Sequence, residues 1–174
     1  MVYREPERTT FTVGGIESFR EAERRAHLNA STEVVTLEQV MATPDISFQT
    51  GFEEGAELTF VERVRRIDGE ALILDLNLFR TSSVPGITEE VARDSIYDYA
   101  EGELGVSIAM SKRAITVERA TGRDRELLDL GDIDYLAVIT SQTFDAQGIL
   151  IECTRSRHRP DHFCFRDTAV RQRV

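Results

Sequence analysis

The sequence predicts an α+β fold in which a mainly antiparallel sheet is flanked by helices. Strand-like alternation outnumbers helical periodicity, and two stretches read as hairpins closed by turn residues. The helical stretches are short and individually capped, so they cover a sheet instead of packing as a bundle.

The stronger hairpin runs from Leu58 to about residue 80 and turns at Asp68-Gly69, the strongest short-range hairpin signal. Side chains alternate faces along a strand, so Arg63 and Arg65 share one face with Thr59 and Val61. Leu58, Phe60, Glu62, Val64 and Arg66 share the other. A two-residue loop in regular register sets Glu62 against Asp75, a like-charge pair. A three-residue Asp68-Gly69-Glu70 loop, with Gly69 in a left-handed bulge, sets Arg63 opposite Asp75 and Arg65 opposite Ile73. Cross-strand pairing favours opposite charges, which selects the second register. It leaves two arginines and an aspartate on one face, an arrangement suited to a polyhydroxylated anion.

The remaining elements follow in order. Residues 1–12 are polar and read as an extended arm or linker remnant, with one domain over 13–170. Gly14-Gly15 precede a helix to about His27, and Ser18 with Glu21 forms a capping box. That helix start is either a simple cap or a phosphate-attracting set of N–H groups. A strand covers Thr32–Val40. A short helix starts at Thr43-Pro44-Asp45 and ends near Gly51 or Gly55. After the hairpin, Val84-Pro85-Gly86 turns, Thr88 caps an acidic helix, and Ser95 opens another helical turn reaching Gly102 or Gly105. Ser107–Glu118 is a strand, and Thr121 with Asp124 caps a helix ending at Leu130-Gly131. Tyr135–Phe144 and Ile149–His158 form the second hairpin around Asp145–Gly148, and Pro160-Asp161 leads into a last strand, His162–Thr168.

Composition narrows the function. A chain of 174 residues is one domain with room for a real core, and its net charge of −10 with pI near 4.8 argues against nucleic acid or anionic membrane as its own partner. Lys112 is the only lysine among the basic residues, so the positive charge is almost all arginine. No apolar run approaches membrane-spanning length and no signal peptide is visible, while two cysteines give no disulfide framework; a cytoplasmic protein is expected.

The chemistry-bearing patterns are few. In the strand 149–158 one face carries Leu150, Glu152, Thr154, Ser156 and His158, either as a solvated face or as the lining of a sugar pocket. Cys153, His158, His162 and Cys164 lie close in sequence, but their spacing fits no usual ligand pattern and Cys153 and His158 point to opposite faces, so no metal is expected. A Gly-x-Ser-x-Gly elbow, a Gly-rich phosphate loop and a dinucleotide fingerprint are absent. Glu152 and Asp75 form at most a chance acid pair for glycoside chemistry.

Five segments occur in a characteristic order: Ser18-Phe19-Arg20-Glu21, Val61 to Glu70, Val84-Pro85-Gly86-Ile87-Thr88, Ser95-Ile96-Tyr97 and Glu152 to Asp161. In that order and spacing they resemble UTRA domains, the effector-binding domains of GntR-family, HutC-subfamily transcription regulators. The resemblance covers about residues 12–168. Arg65 to Glu70, Leu127 to Asp132 and Ser156 to Asp161 are most similar to trehalose operon repressors. It implies a chorismate-lyase-like fold, no enzymatic activity and no cofactor. The implied effector is a sugar phosphate, foremost trehalose 6-phosphate. Glucosamine 6-phosphate or N-acetylglucosamine 6-phosphate is the alternative, and a small lyase on the same fold a more distant one.

The resemblance also implies the roles of individual residues. Arg63 and Arg65 meet the phosphate, Ser95 and Tyr97 help hold it, and Ser18 and Phe19 contribute backbone N–H groups. Asp75 and Glu152 bind sugar hydroxyls. Asp75 stands where many relatives have Glu, and His158 where many have Tyr. Residues 1–12 are too short to be the winged helix-turn-helix of full regulators. The expectation is therefore an effector domain alone, homodimeric, reaching operator DNA only through the missing domain.

Overall fold

Six strands form one antiparallel sheet in the order β2-β3-β4-β7-β6-β5 in the computed structural model, which describes residues 9–12 and 19–171. The strands are β2 (Ala30–Met41), β3 (Glu57–Ile67), β4 (Glu70–Arg80), β5 (Ile108–Arg119), β6 (Tyr135–Asp145) and β7 (Leu150–His158). A separate two-stranded ladder pairs β1 (Thr9–Thr12) with β8 (Phe163–Arg166) in parallel. The arm expected at the start of the chain is thus extended where it is described, but it is paired. The last strand is shorter than expected because a 3₁₀ turn, Pro160–His162, occupies its first residues.

The arginine hairpin has the expected register, reached by a different device. Arg63 faces Asp75 and Arg65 faces Ile73. The loop, however, has two residues, with both Asp68 (φ 50°) and Gly69 (φ 83°) in the left-handed region, the backbone that matches strand twist. The register is corrected further along, where Arg65 pairs with Ile73 and Arg66 with Ala71, leaving Leu72 as a β-bulge. No atom lies within 4 Å of a Cβ built on Gly69, so Gly69→Ala isolates backbone strain. It should cost about 1–2 kcal/mol in equilibrium denaturation; an unchanged midpoint would show the turn relaxing.

Helices lie on both faces. On the back, α2 (Pro44–Thr50) packs through Ile46 over Leu58, Phe52 and Leu150. Thr43 caps it by accepting from Ile46 N at 3.2 Å, and Gly51 closes it at φ 84°. Also on the back, α5 (Gly122–Leu127) leads Leu128 and Leu130 onto Val64, Leu74 and Val138. This helix ends before the expected Leu130-Gly131. Leu128 turns extended so that both leucines reach the core, and the Asp129 carboxylate accepts from Ala71 N at 2.7 Å.

On the front, α3 (Glu89–Arg93) and α4 (Ile96–Asp98), which runs into a π-helical turn (Tyr99–Glu103), cover one end through Ala92, Ile96 and Ala100 on Val61 and Phe79. At the other end α1 (Phe19–Ala26) sets Phe19 against the cluster of Ile67, Leu72 and Ile73. Between these two covers the sheet is open.

Candidate functional site

The opening is a cavity of about 560 Å³ whose floor is the front face of the sheet. The register aligns side chains across it in rows. One row runs Arg65, Ile73, His158, and the next runs Arg63, Asp75, Ser156, Ile139, Ile115. A third runs Asn77, Thr154, Ser141, Arg113. Of the residues singled out in the sequence, Phe19, Arg63, Arg65, Asp75, Ser95, Tyr97, Glu152 and His158 all line this cavity. Ser18 lies outside the described residues.

The arginines bond diagonally instead of straight across. Arg65 Nε donates to Asp75 Oδ2 at 2.9 Å and Nη1 to Thr32 Oγ1 at 2.6 Å, while its guanidinium stacks 4.6 Å from the Phe19 ring centroid. Arg63 Nη2 donates to Asn77 Oδ1 at 2.9 Å and Nη1 to the Ala92 carbonyl at 3.1 Å. Its Nε has no partner. Among the described residues, Arg63 Nε and Arg20 Nε are the buried side-chain polar atoms left without a hydrogen bond, and both belong to cavity-lining residues. Arg20 reaches from α1 to Asp94, 3.3 Å away, at the other cover.

A second network holds the acids. Asn77 Nδ2 donates to Glu152 Oε1 and to Thr154 Oγ1, each at 2.9 Å, and Tyr97 Oη donates to Glu152 Oε2 at 2.5 Å. Ser156 Oγ donates to Asp75 Oδ1 and lies 2.9 Å from His158 Nε2. Ser95 is buried with its oxygen occupied as the α4 cap, accepting from Asp98 N at 3.1 Å; its hydroxyl proton remains a donor.

Electrostatics in the cavity favour an anion. Burial, reinforced by the Arg65 charge, lowers Arg63 to about 9; Asp75 and Glu152 oppose the shift. The guanidinium stays charged at neutral pH, in a place where one more negative group would be welcome. Burial works to raise Asp75, but Arg65 and Arg63 outweigh it and hold the carboxyl below its usual range. Burial and then Glu152 raise Tyr97 well above an ordinary phenol, so it remains an O–H donor. Burial lowers His158 to about 4 against the pull of Asp75, leaving a neutral ring.

A histidine depressed on folding costs stability as pH falls from its unfolded value, about 6.5, toward its folded one. An NMR titration should find the His158 ring titrating near 4; an ordinary midpoint near 6.5 would show the ring reaching water.

Sequence reasoning singled out the face of Glu152, Thr154, Ser156 and His158, but left Asn77, Ser141 and Arg113 unassigned. Asn77 had a usable signal, lying two residues beyond Asp75 on the same strand face. Ser141 had a signal too, lying on β6 of the hairpin that the sequence sets beside β7, whereas Arg113 sits on β5, whose place at the edge beside β6 no local pattern specifies. Among the described residues no three His, Cys, Asp or Glu side chains converge as metal ligands, and no helix is long and apolar enough to cross a membrane.

Comparison with known proteins places this geometry. The UTRA domain family model matches residues 25–164. The chain belongs to the UTRA domain family. This UTRA domain is 38% identical over 165 residues to the HTH-type transcriptional regulator TreR of Bacillus subtilis, covering 95% of this chain and 69% of the relative. It is 26% identical to the regulator GmuR of the same organism, over 81% of this chain and 60% of the relative, so the chain spans between half and three quarters of these regulators. The solved effector-binding domain of B. subtilis trehalose repressor (TreR) superposes with TM-score 0.75 at 38% identity, covering 82% of this chain and 99% of that one. PhnF from Mycobacterium smegmatis, at TM-score 0.82 and 21% identity over 95% of this chain and 73% of that one, shares the fold. This UTRA domain is an effector-binding domain of the GntR regulator type.

Proposed function

We propose that this UTRA domain senses a sugar phosphate, foremost trehalose 6-phosphate, and that its occupancy controls operator binding by a full-length, homodimeric, cytoplasmic repressor. The observation that carries this reading is the pair of unsatisfied buried guanidinium nitrogens, on Arg63 and Arg20, in one cavity that also holds Arg65. An unsatisfied buried donor costs roughly 1–3 kcal/mol, which an anion accepting from it recovers. Arg63 and Arg65 grip the phosphate, with Ser95, Tyr97 and the start of α1 at Phe19 beside it. Asp75 and Glu152 accept from sugar hydroxyls, and His158, neutral, adds a further hydroxyl partner. The domain acts as a switch and not as a catalyst: ligand binding shifts the dimer toward a geometry that releases DNA.

Calorimetric titration tests this. Trehalose 6-phosphate should bind tightly and trehalose at least about tenfold more weakly, because each charge-assisted bond to phosphate contributes roughly 1.5–3 kcal/mol. Tighter binding of N-acetylglucosamine 6-phosphate would reassign the sugar and keep the arginines. No heat with any sugar phosphate would overturn the reading.

A further inference from the structure

The two covers that flank the cavity mouth are fastened unequally to the sheet. The α3–α4 cover is fixed. Ala92, Ile96 and Ala100 are buried against Val61 and Phe79, and Arg63 Nη1 donates to the Ala92 carbonyl at 3.1 Å. The α1 cover is not. Most of its residues are charged, and Ala22 is its one buried residue. Phe19 rests half-buried on Ile67, Leu72 and Ile73, with the Arg65 guanidinium over its ring. A helix this short has little stability of its own, and so little buried apolar area holds it down weakly.

The Arg20 side chain crosses from the loose cover to the fixed one. Its Nη1 donates to Glu23 Oε2 at 3.4 Å, one turn along α1, and its Nη2 lies 3.3 Å from Asp94 Oδ1. Asp94 ends α3 and immediately precedes Ser95, the cap of α4, and both Arg20 and Asp94 line the cavity. Their side chains are 40% and 65% exposed, so the pair is weak and screened by salt. Arg20 Nε is buried without a partner, which lowers the cost of parting the pair further. Such a contact is poor as a structural bridge and well suited to opening and closing. Resting on the sugar-phosphate reading, we infer that α1 is a lid over the cavity and that the Arg20–Asp94 pair is its clasp. The lid admits the ligand when the pair parts, and the clasp re-forms over the phosphate end, where Phe19 of the same helix covers Arg65. The floor of the cavity then sets which ligand binds, and the clasp sets how fast it enters and leaves.

NMR exchange measurements on the domain with trehalose 6-phosphate, and separately with N-acetylglucosamine 6-phosphate, test the clasp. Asp94→Asn should speed release of whichever sugar phosphate binds about threefold, the fold-change expected from losing an exposed ion pair. It should speed entry as well, so that the dissociation constant moves less than either rate. Removing an acid also removes repulsion of the phosphate, so the same substitution is made in an Arg20→Gln background. There the clasp is already open, and Asp94→Asn should leave both rates within about 1.5-fold. Equal acceleration in the two backgrounds, no acceleration in either, or slower release from Asp94→Asn would each overturn the clasp while leaving the phosphate grip standing. Binding of neither sugar phosphate to the wild-type domain would instead overturn the sugar-phosphate reading, and the clasp with it.

Discussion

Arg65→Ala should lose about 3 kcal/mol of folding stability and, with the phosphate grip proposed above, also abolish tight ligand binding. Arg65 is 4% exposed and donates to Asp75, itself 7% exposed. Removing the guanidinium leaves the Asp75 carboxylate buried with Ser156 as its remaining bonded partner, and it strips Phe19 of the cation stacked on its ring. Breaking a buried pair from one side costs more than the pair contributes, since an uncompensated charge stays behind. The double variant Arg65→Ala, Asp75→Asn should therefore regain part of the loss in urea denaturation, and yet bind phosphorylated sugar no better. If the double variant is the less stable of the two, the loss came from packing against Phe19 and Thr32 and not from the orphaned charge.

The second large effect lies on the back of the sheet, away from the cavity. Asp124 is fully buried and accepts from Arg157 through both oxygens, Nε at 2.8 Å and Nη2 at 2.9 Å. The same carboxylate accepts from the Thr121 N–H at 2.7 Å and completes the capping box of α5. Asp124→Ala should cost about 3 kcal/mol: buried Arg157 keeps Glu118 and the Arg119 carbonyl as partners but loses its two bonds to Asp124, and α5 loses the carboxylate half of its capping box. Burial works to raise the Asp124 carboxyl, but Arg157 and Thr121 hold it below its ordinary value. A carboxylate depressed on folding contributes stability that is complete above its unfolded pKa of about 3.9 and is lost as pH falls through the folded value. Asp124→Asn should flatten the acid limb of the stability curve below about pH 4. An unchanged limb would place the acid sensitivity elsewhere, with Asp75 the next carboxylate to test.

What could be read from the sequence was the local part. The caps at Thr43, Thr88, Ser95 and Thr121 are set by neighbouring residues, and each appears where its spacing placed it. The Arg63–Asp75 register was legible because the alternative forces like charges together, although the bulge at Leu72 that achieves it leaves no mark in a run of apolar residues. The grouping of Arg63, Arg65, Asp75, Glu152 and His158 in one cavity followed from family resemblance, and the sheet order is what brings them together. The role of Asn77 as a bridge between Arg63 and Glu152 was hidden for the same reason. It depends on β4 lying between β3 and β7, a fact of long-range pairing that no window of sequence contains.

The parallel ladder of β1 and β8 joins segments about 150 residues apart in the chain, the most distant pairing in the fold. Closing so long a loop wins few hydrogen bonds for the chain entropy it removes, so this ladder should form after the six-stranded sheet and open before it. Hydrogen exchange would then find the amides of β8 trading with solvent long before those of β3, β4 and β7. Phe165 of β8 lines the cavity, so one of its walls belongs to the part of the molecule that comes undone first. A ligand packed against Phe165 should slow the exchange of β8 more than that of the central strands, which makes the edge ladder a built-in reporter of occupancy.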